Sequence, residues 1–352
     1  MAHLFEPLAL RGIVLKNRIG IPPMCQYSAI DGIAGEWHFV HYGSCAAGGA
    51  ALLIVEATAV TPDGRISPGD LGIWCDEQIE PLGRIARFAA GQGCVPAIQL
   101  AHAGRKGSTG LGWQPSGSLG QGGWPVSAPS ALSFGPGYDT PLELDVEGIR
   151  DVVDSFVSGA RRALAAGFQC VEIHAAHGYL LHQFLSPLSN LRRDEWGGCF
   201  ENRIRLVSTV VREVREVWPD RLPLLIRLSA TDWVEGGWNP DETALLCRIL
   251  KDLGVDLVDV SSAGLVPDAA IPAGPGFQCG FSSRVRREAG IMTAAVGMIT
   301  SPEQADHVVR SEQADLVLIG REVLRNPHWP LAAASALRQH TDWPNPYLRA
   351  AR

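Results

Sequence analysis

Short apolar runs rich in β-branched residues recur along the chain at Arg18–Ile21, Ala51–Ala57, Val95–Leu100, Cys170–His174, Pro223–Leu228, Leu257–Ser261, Ile291–Val296 and Asp315–Ile319. Each ends in a turn signal. Between them, polar residues spaced to leave one apolar face predict amphipathic helices, among them Val152–Ala166, Glu201–Val217 and Thr243–Leu253. Alternation of this kind reads as a parallel sheet with helical crossovers, and eight such units close a barrel. The predicted fold class is α/β, a (β/α)8 TIM barrel. A doubly wound sheet is the runner-up, but no strand leads into the G-x-G-x-x-G turn that a dinucleotide fold needs.

One interval breaks the rhythm. Residues 104–140 are rich in Gly, Pro and Ser, carry Trp113 and Trp124, and are too long for an ordinary connection. They predict a long capping loop after strand 3, lying over the barrel mouth; a disordered insertion is the alternative. No repeat, low-complexity tract or linker divides the rest. One barrel domain is therefore expected over residues 1–352, with the capping insertion at about 104–140 and a C-terminal tail at about 341–352.

Composition narrows the function classes. The chain is 46% hydrophobic and 19% charged with a net charge of −7, which fits a globular protein and argues against a nucleic-acid partner. No run reaches the roughly 18 apolar residues of a membrane span, and Glu6 and Pro7 interrupt the only stretch resembling a secretion signal. A cytoplasmic protein is expected. The eight cysteines contain no C-x-x-C pair, which suits reduced thiols better than a disulfide framework or a structural zinc site.

In parallel α/β folds the chemistry sits beyond the carboxyl ends of the strands. Those ends would bring together Pro22 to Tyr27, Glu56 and Ala57, Gln99, His174 with His177 and Tyr179, Arg227, Ser261 and Ser262, Gly297, and Gly320 with Arg321. Glycines ending strands seven and eight, next to an arginine, fit a phosphate cradle of exposed backbone N–H groups. His174, His177 and Tyr179 set two imidazoles and a phenol together, a cluster able to hold a polar substrate and give it a proton. An H-x-x-H zinc pair is the competing reading, with no evident third ligand nearby, so no metal is assigned. A Schiff-base aldolase would need a lysine at a strand end. The only lysines are Lys16, Lys106 and Lys251, none in such a place.

The motifs PPMCQYS, VEATAV with Gly64 and Arg65, IQLAHAGRK, the segment from His174 to Asn190, RDEWGGCFENR, AVGMIT and LIGRE run over nearly the whole chain. Together they resemble the old yellow enzyme family of FMN-dependent ene-reductases, and within it the short bacterial branch with a cysteine beside the flavin. The resemblance implies tightly but non-covalently bound FMN, reduced by NADPH or NADH. The reduced flavin then passes hydride from N5 to the activated C=C bond of an enone, enal, maleimide or nitro compound.

It also implies roles. Pro22, Pro23, Met24 and Cys25 would lie along the flavin, Ala57 would leave room for the ring, and Gln99 would bond its pyrimidine edge. Arg227 would stabilise the reduced ring, and Gly297, Met298, Gly320 and Arg321 would hold the phosphate end. His174, next to the flavin, and His177 would donate hydrogen bonds to the substrate's carbonyl or nitro oxygen. Tyr179 would protonate the α-carbon. Cys25 and Tyr27 would shape the substrate end, and Arg349 would match the branch's tail arginine, which enters a neighbouring subunit's pocket. A homodimer or homotetramer is then expected.

Trp196 and Cys199 stand where the family more often has tyrosine and serine, and the 104–140 loop is longer than in close relatives, which bears on substrate range. A protein that merely stores or senses FMN is the non-enzymatic alternative. It would have no need of His174, His177 and Tyr179 together.

Overall fold

Eight parallel strands close on themselves in the computed structural model, which describes residues 3–351. They are β1 (Ile19–Ile21), β2 (Leu52–Ala59), β3 (Val95–Ala101), β4 (Cys170–Ala175), β5 (Leu224–Ser229), β6 (Leu257–Ser261), β7 (Met292–Ala295) and β8 (Leu316–Leu318). Each pairs with its successor, and β8 pairs with β1, so the barrel has no free edge. Every predicted strand is present, some ends trimmed by one residue and others extended by one or two.

Alternate residues point into the barrel. Leu52, Ile54, Ala97, Cys170, Leu225, Leu257, Ala294, Leu316 and Leu318 form one buried cluster there, joined by Leu8, Leu10 and Leu15. The last three come from an antiparallel hairpin, Leu8–Leu10 with Ile13–Leu15, which closes the end where the strands begin. With that end filled by apolar side chains, the polar residues of the barrel gather towards the carboxyl ends. A larger apolar cluster fills the space between strands and helices.

The outer helices follow in order: α1 (Glu36–Ala47), α2 (Ile79–Gly91), α3 (Val146–Ala165), α4 (Arg205–Val217), α5 (Pro240–Asp252), α6 (Cys279–Ala289), α7 (Pro302–Arg310) and α8 (Trp329–Ala336). Local chemistry sets their starts. Asp145 caps α3 by accepting from Gly148 N at 2.8 Å, so that helix begins earlier than its apolar spacing predicts. Asn239 and Ser301 cap α5 and α7, each followed by proline at the first helical position. The helix predicted over 201–217 is instead two, Phe200–Arg203 and α4, meeting at Ile204.

The 104–140 loop folds back on the mouth. Its Ser127–Ala128 pairs with Leu142–Glu143, and Trp124 donates to the Asp63 carbonyl at 2.9 Å beneath the guanidinium of Arg65. Trp113 meets the Tyr27 ring edge-on, with 6.0 Å between centroids. The capping loop thus covers the side of the mouth where Tyr27 lies.

Candidate active site

At the carboxyl ends of the strands a cavity of about 330 Å³ opens, within the ordinary range for small-molecule sites. Pro22, Pro23 and Met24 line it from the loop after β1, Arg227 from β5, Gly297 and Met298 from the end of β7, and Gly320 and Arg321 from the end of β8. Both glycines matter sterically. Gly297 has φ +124°, and a Cβ there would meet Gln278 at 2.8 Å and Phe277 at 3.0 Å. A Cβ on Gly320 would project towards Pro22 and Met24, at 3.6 and 3.7 Å, and so into the cavity. Arg325 in the same wall pairs with Glu322, whereas Arg321 has no ion-pair partner among the described residues. A free cation between two bare backbone segments fits a phosphate group.

Below this cavity the barrel carries a buried polar layer. Arg227 Nε lies 2.9 Å from Asp259 Oδ2, and Gln99 Nε2 donates to Glu172 Oε1 at 2.8 Å. Because Gln99 gives its N–H to Glu172, its own carbonyl oxygen is left to accept. Glu172 is fully buried with one oxygen unpartnered, and burial followed by the nearby Asp259 charge raises its pKa. Glu172 sits inside an otherwise apolar run, so no local pattern marks it in the sequence. Ala57, two places along β2 from Val55, is buried and small. Its register against Gln99 follows a bulge between Val55 and Ala57.

His174, His177 and Tyr179 come together as predicted. The His174 ring is 5.3 Å from that of His177 and 4.9 Å from that of Tyr179, edge-on to both. His174 Nδ1 accepts from Ala176 N at 3.3 Å, which leaves Nε2–H as the donor. His177 Nε2 lies 2.7 Å from Ser261 Oγ. Burial, then the Arg227 charge, lowers both imidazole pKa values, so both rings are neutral near pH 7. Burial, then Cys25 and Tyr27, raises that of Tyr179, which therefore holds its proton. Arg227 sits beside His174 in the β4–β5 register and joins this cluster to the cavity.

Cys25 and Tyr27 stand on the same loop as Met24. Burial, followed by Asp70 and Glu56, pushes the Cys25 thiol up, and burial does the same to Tyr27, so both are neutral. Glu56 fixes this loop by accepting from Gln26 N at 2.7 Å while taking a hydrogen bond from Tyr42 at 2.9 Å.

Lys106 lies beyond the end of β3, where the strand-end pattern does not mark it, yet it reaches the cluster. Its ammonium donates to the carbonyls of His177 and Gly264 at 2.8 and 2.9 Å and lies 5.1 Å from the Tyr179 ring centroid. Burial, then the Arg105 charge, lowers its pKa to about 8. The signal available was the Arg-Lys pair closing the IQLAHAGRK motif.

The structure does not bring Arg349 into this group. It is exposed on the turn Asn345–Ala350, whose Tyr347 ring lies 5.5 Å from His328 at the start of α8. Asp194, Asn202 and Arg203 hold structural bonds: Arg192 pairs with Asp194 at 2.6 Å, Asn202 donates to the carbonyls of Asp194 and Gly197 at 3.2 and 3.1 Å, and Arg203 pairs with Glu242.

Residues 3–340 match the family model described as NADH:flavin oxidoreductase / NADH oxidase. The chain is 47% identical over 348 residues to a NADPH dehydrogenase of Geobacillus thermodenitrificans, covering 98% of each. Among solved structures, morphinone reductase superposes with a TM-score of 0.80 at 29% identity, covering 98% of this chain and 92% of that one. The old yellow enzyme homologue from Zymomonas mobilis superposes at 0.78 and 26%, covering 97% and 94%.

Proposed function

The chain belongs to the NADH:flavin oxidoreductase / NADH oxidase family, and on that premise we propose that this FMN-dependent oxidoreductase reduces the activated C=C bond of α,β-unsaturated carbonyl or nitro compounds. One observation carries the reading: two neutral imidazoles and a protonated phenol, the rings of His177 and Tyr179 lying 5.3 and 4.9 Å from that of His174, next to a cavity walled by Arg227. A protein that only stored FMN would keep the cavity without needing that cluster.

The residues present suit the cofactor. Gly297, Gly320 and Arg321 would hold its phosphate, Pro22, Pro23 and Met24 would lie along it, and Cys25, Ala57 and Gln99 would bound its ring. Gln99 has a free acceptor oxygen for an N–H. Arg227 would place a cation against the ring. FMN, when bound, supplies the hydride it has taken from NADPH or NADH.

The chain's own groups do the rest. His174 Nε2–H points its donor at a substrate oxygen, with His177 beside it, and the pair stabilises the negative charge that grows there as the β-carbon is reduced. A neutral donor does this without adding a full charge to a buried site. Tyr179 delivers the proton to the α-carbon, and Lys106, over its ring, stabilises the phenolate left behind. Cys25 and Tyr27 close the substrate end. Arg349, on an exposed tail beside Tyr347 and Leu348, would complete the pocket of a second copy in a homodimer or homotetramer. Eight free thiols suit the reducing cytoplasm.

Binding of a phenol, an enolate mimic, tests the site. His174→Ala should weaken it by about tenfold, the loss of one net hydrogen bond, read from the flavin absorbance. Unchanged affinity contradicts the oxyanion role.

A further inference from the structure

The turn that carries His177 and Tyr179 is held from outside itself. His177 and Gly178 both have left-handed backbone, φ +58° and +73°. For a histidine that conformation persists only where its surroundings enforce it. Gly178 admits no side chain, since a Cβ would stand 2.1 Å from the Gly264 carbonyl oxygen. Side chains from β5, from the 104–140 loop and from the residues just downstream then meet the backbone groups of both residues. His177 N donates to Ser229 Oγ at 2.9 Å and the His177 carbonyl accepts from Lys106 at 2.8 Å. The Gly178 carbonyl accepts from Gln183 Nε2 at 2.7 Å, and Gly178 N donates to His182 Nδ1 at 2.9 Å.

His182 has a further partner. It is fully buried on the short helix Leu180–Leu185, and its Nε2 lies 2.9 Å from Asp232 Oδ1, also fully buried. Asp232 accepts from Ser186 Oγ at 2.7 Å and Trp238 N at 2.8 Å through its other oxygen. With Nδ1 occupied as an acceptor, the His182 proton sits on Nε2, facing a carboxylate that the loop after β5 holds in place. A chain of buried contacts therefore runs from β5 to the peptide between His177 and Tyr179. Neither His182 nor Asp232 lines the cavity.

We propose that His182, oriented by Asp232, is a positioning residue that fixes the His177–Gly178–Tyr179 turn and thereby aims the Tyr179 phenol and the His177 ring. The inference rests on the assignment of Tyr179 as the proton donor. It differs from a simple packing role in what it demands of the side chain: an acceptor at the Nδ1 position. Asparagine carries an oxygen near the place of Nδ1, whereas glutamine carries its polar end near the place of Nε2. The two substitutions therefore separate the bond to Gly178 from the contact with Asp232.

The test uses the FMN-loaded enzyme in stopped flow, with anaerobic reduction by NADPH and reoxidation by 2-cyclohexenone followed separately. His182→Gln should slow reoxidation by on the order of 10²-fold, the cost of a misplaced reacting group, through kcat more than KM, while reduction by NADPH keeps its rate. His182→Asn should restore most of the loss. Joining His182→Gln to Tyr179→Phe should add little to Tyr179→Phe alone, because residues acting through one group are not additive. If His182→Gln does not fold, Asp232→Asn takes its place, with a smaller selective loss, because it loosens His182 while keeping the Nδ1 acceptor, and with the same non-additivity expected. Reoxidation at the parent rate in His182→Gln or Asp232→Asn, or losses that multiply with Tyr179→Phe, would overturn the proposal. Tyr179→Phe reoxidising as fast as the parent would instead sink the proton-donor assignment, so the two failures are told apart.

Discussion

The Lys106 ammonium lies 5.1 Å from the centre of the Tyr179 ring and hydrogen-bonds the carbonyl of His177 at 2.8 Å. A single cation is thus shared between the phenol and the turn that presents it. Its pKa, lowered to about 8 by burial and Arg105, places its loss of charge within a workable pH range. Below that value the cation stabilises a phenolate; above it the support is gone. Alkene reduction should therefore fall as pH rises through about 8. Lys106→Met should be slower below that point and lose the inflection. An inflection that survives in Lys106→Met would assign it to another group.

Tyr179→Phe removes the proton and keeps the ring. Alkene reduction should slow by roughly 10²–10⁴-fold, the usual contribution of a positioned general acid, while NADPH still reduces the flavin. Equal losses in both half-reactions would show that the phenol shapes the site as a whole.

The buried acid at Glu172 predicts a stability trend. Its folded pKa is raised, by burial first and Asp259 second, above the ordinary carboxylate value. The folded state then binds a proton that the unfolded chain has released, so stability should fall as pH rises above the ordinary carboxylate range. Glu172→Gln copies the neutral acid and still accepts from Gln99. It should flatten the thermal-melting profile on the alkaline side. A profile as steep as the parent's would place the pH dependence elsewhere.

The C-terminal tail separates two arrangements. Removing residues 348–352 should impair turnover of substrate if Arg349 completes a neighbouring subunit's pocket, with the melting temperature of the barrel unchanged. Identical steady-state constants would remove the tail from the site.

All eight strands were legible because each is an apolar, β-branched run with a turn signal at its end, and the barrel follows from their number. Helix α1 was not legible, because its pattern is inverted: it buries His38 and Tyr42 and exposes Trp37 and Val40, at 59% and 61%. Helix α2, by contrast, buries Leu82, Ile85, Ala86 and Ala89 at ordinary helical spacing and was open to reading. The cavity residues and the His174 cluster were found from motifs at strand ends. Lys106, His182 and Asp232 act through contacts between distant segments, and no local spacing marks such contacts. Arg349 raises the same difficulty at a larger scale, since its partner would lie on another chain.

Every proposed residue role depends on reducing power passing from a nicotinamide through FMN to an activated alkene. Anaerobic absorbance spectroscopy follows that passage: the flavin spectrum is recorded, bleached with NADPH, and watched after 2-cyclohexenone is added. Bleaching followed by recovery of the oxidised spectrum is the expected result. A flavin that bleaches and stays bleached with 2-cyclohexenone, maleimide and nitroalkene alike would contradict the claim.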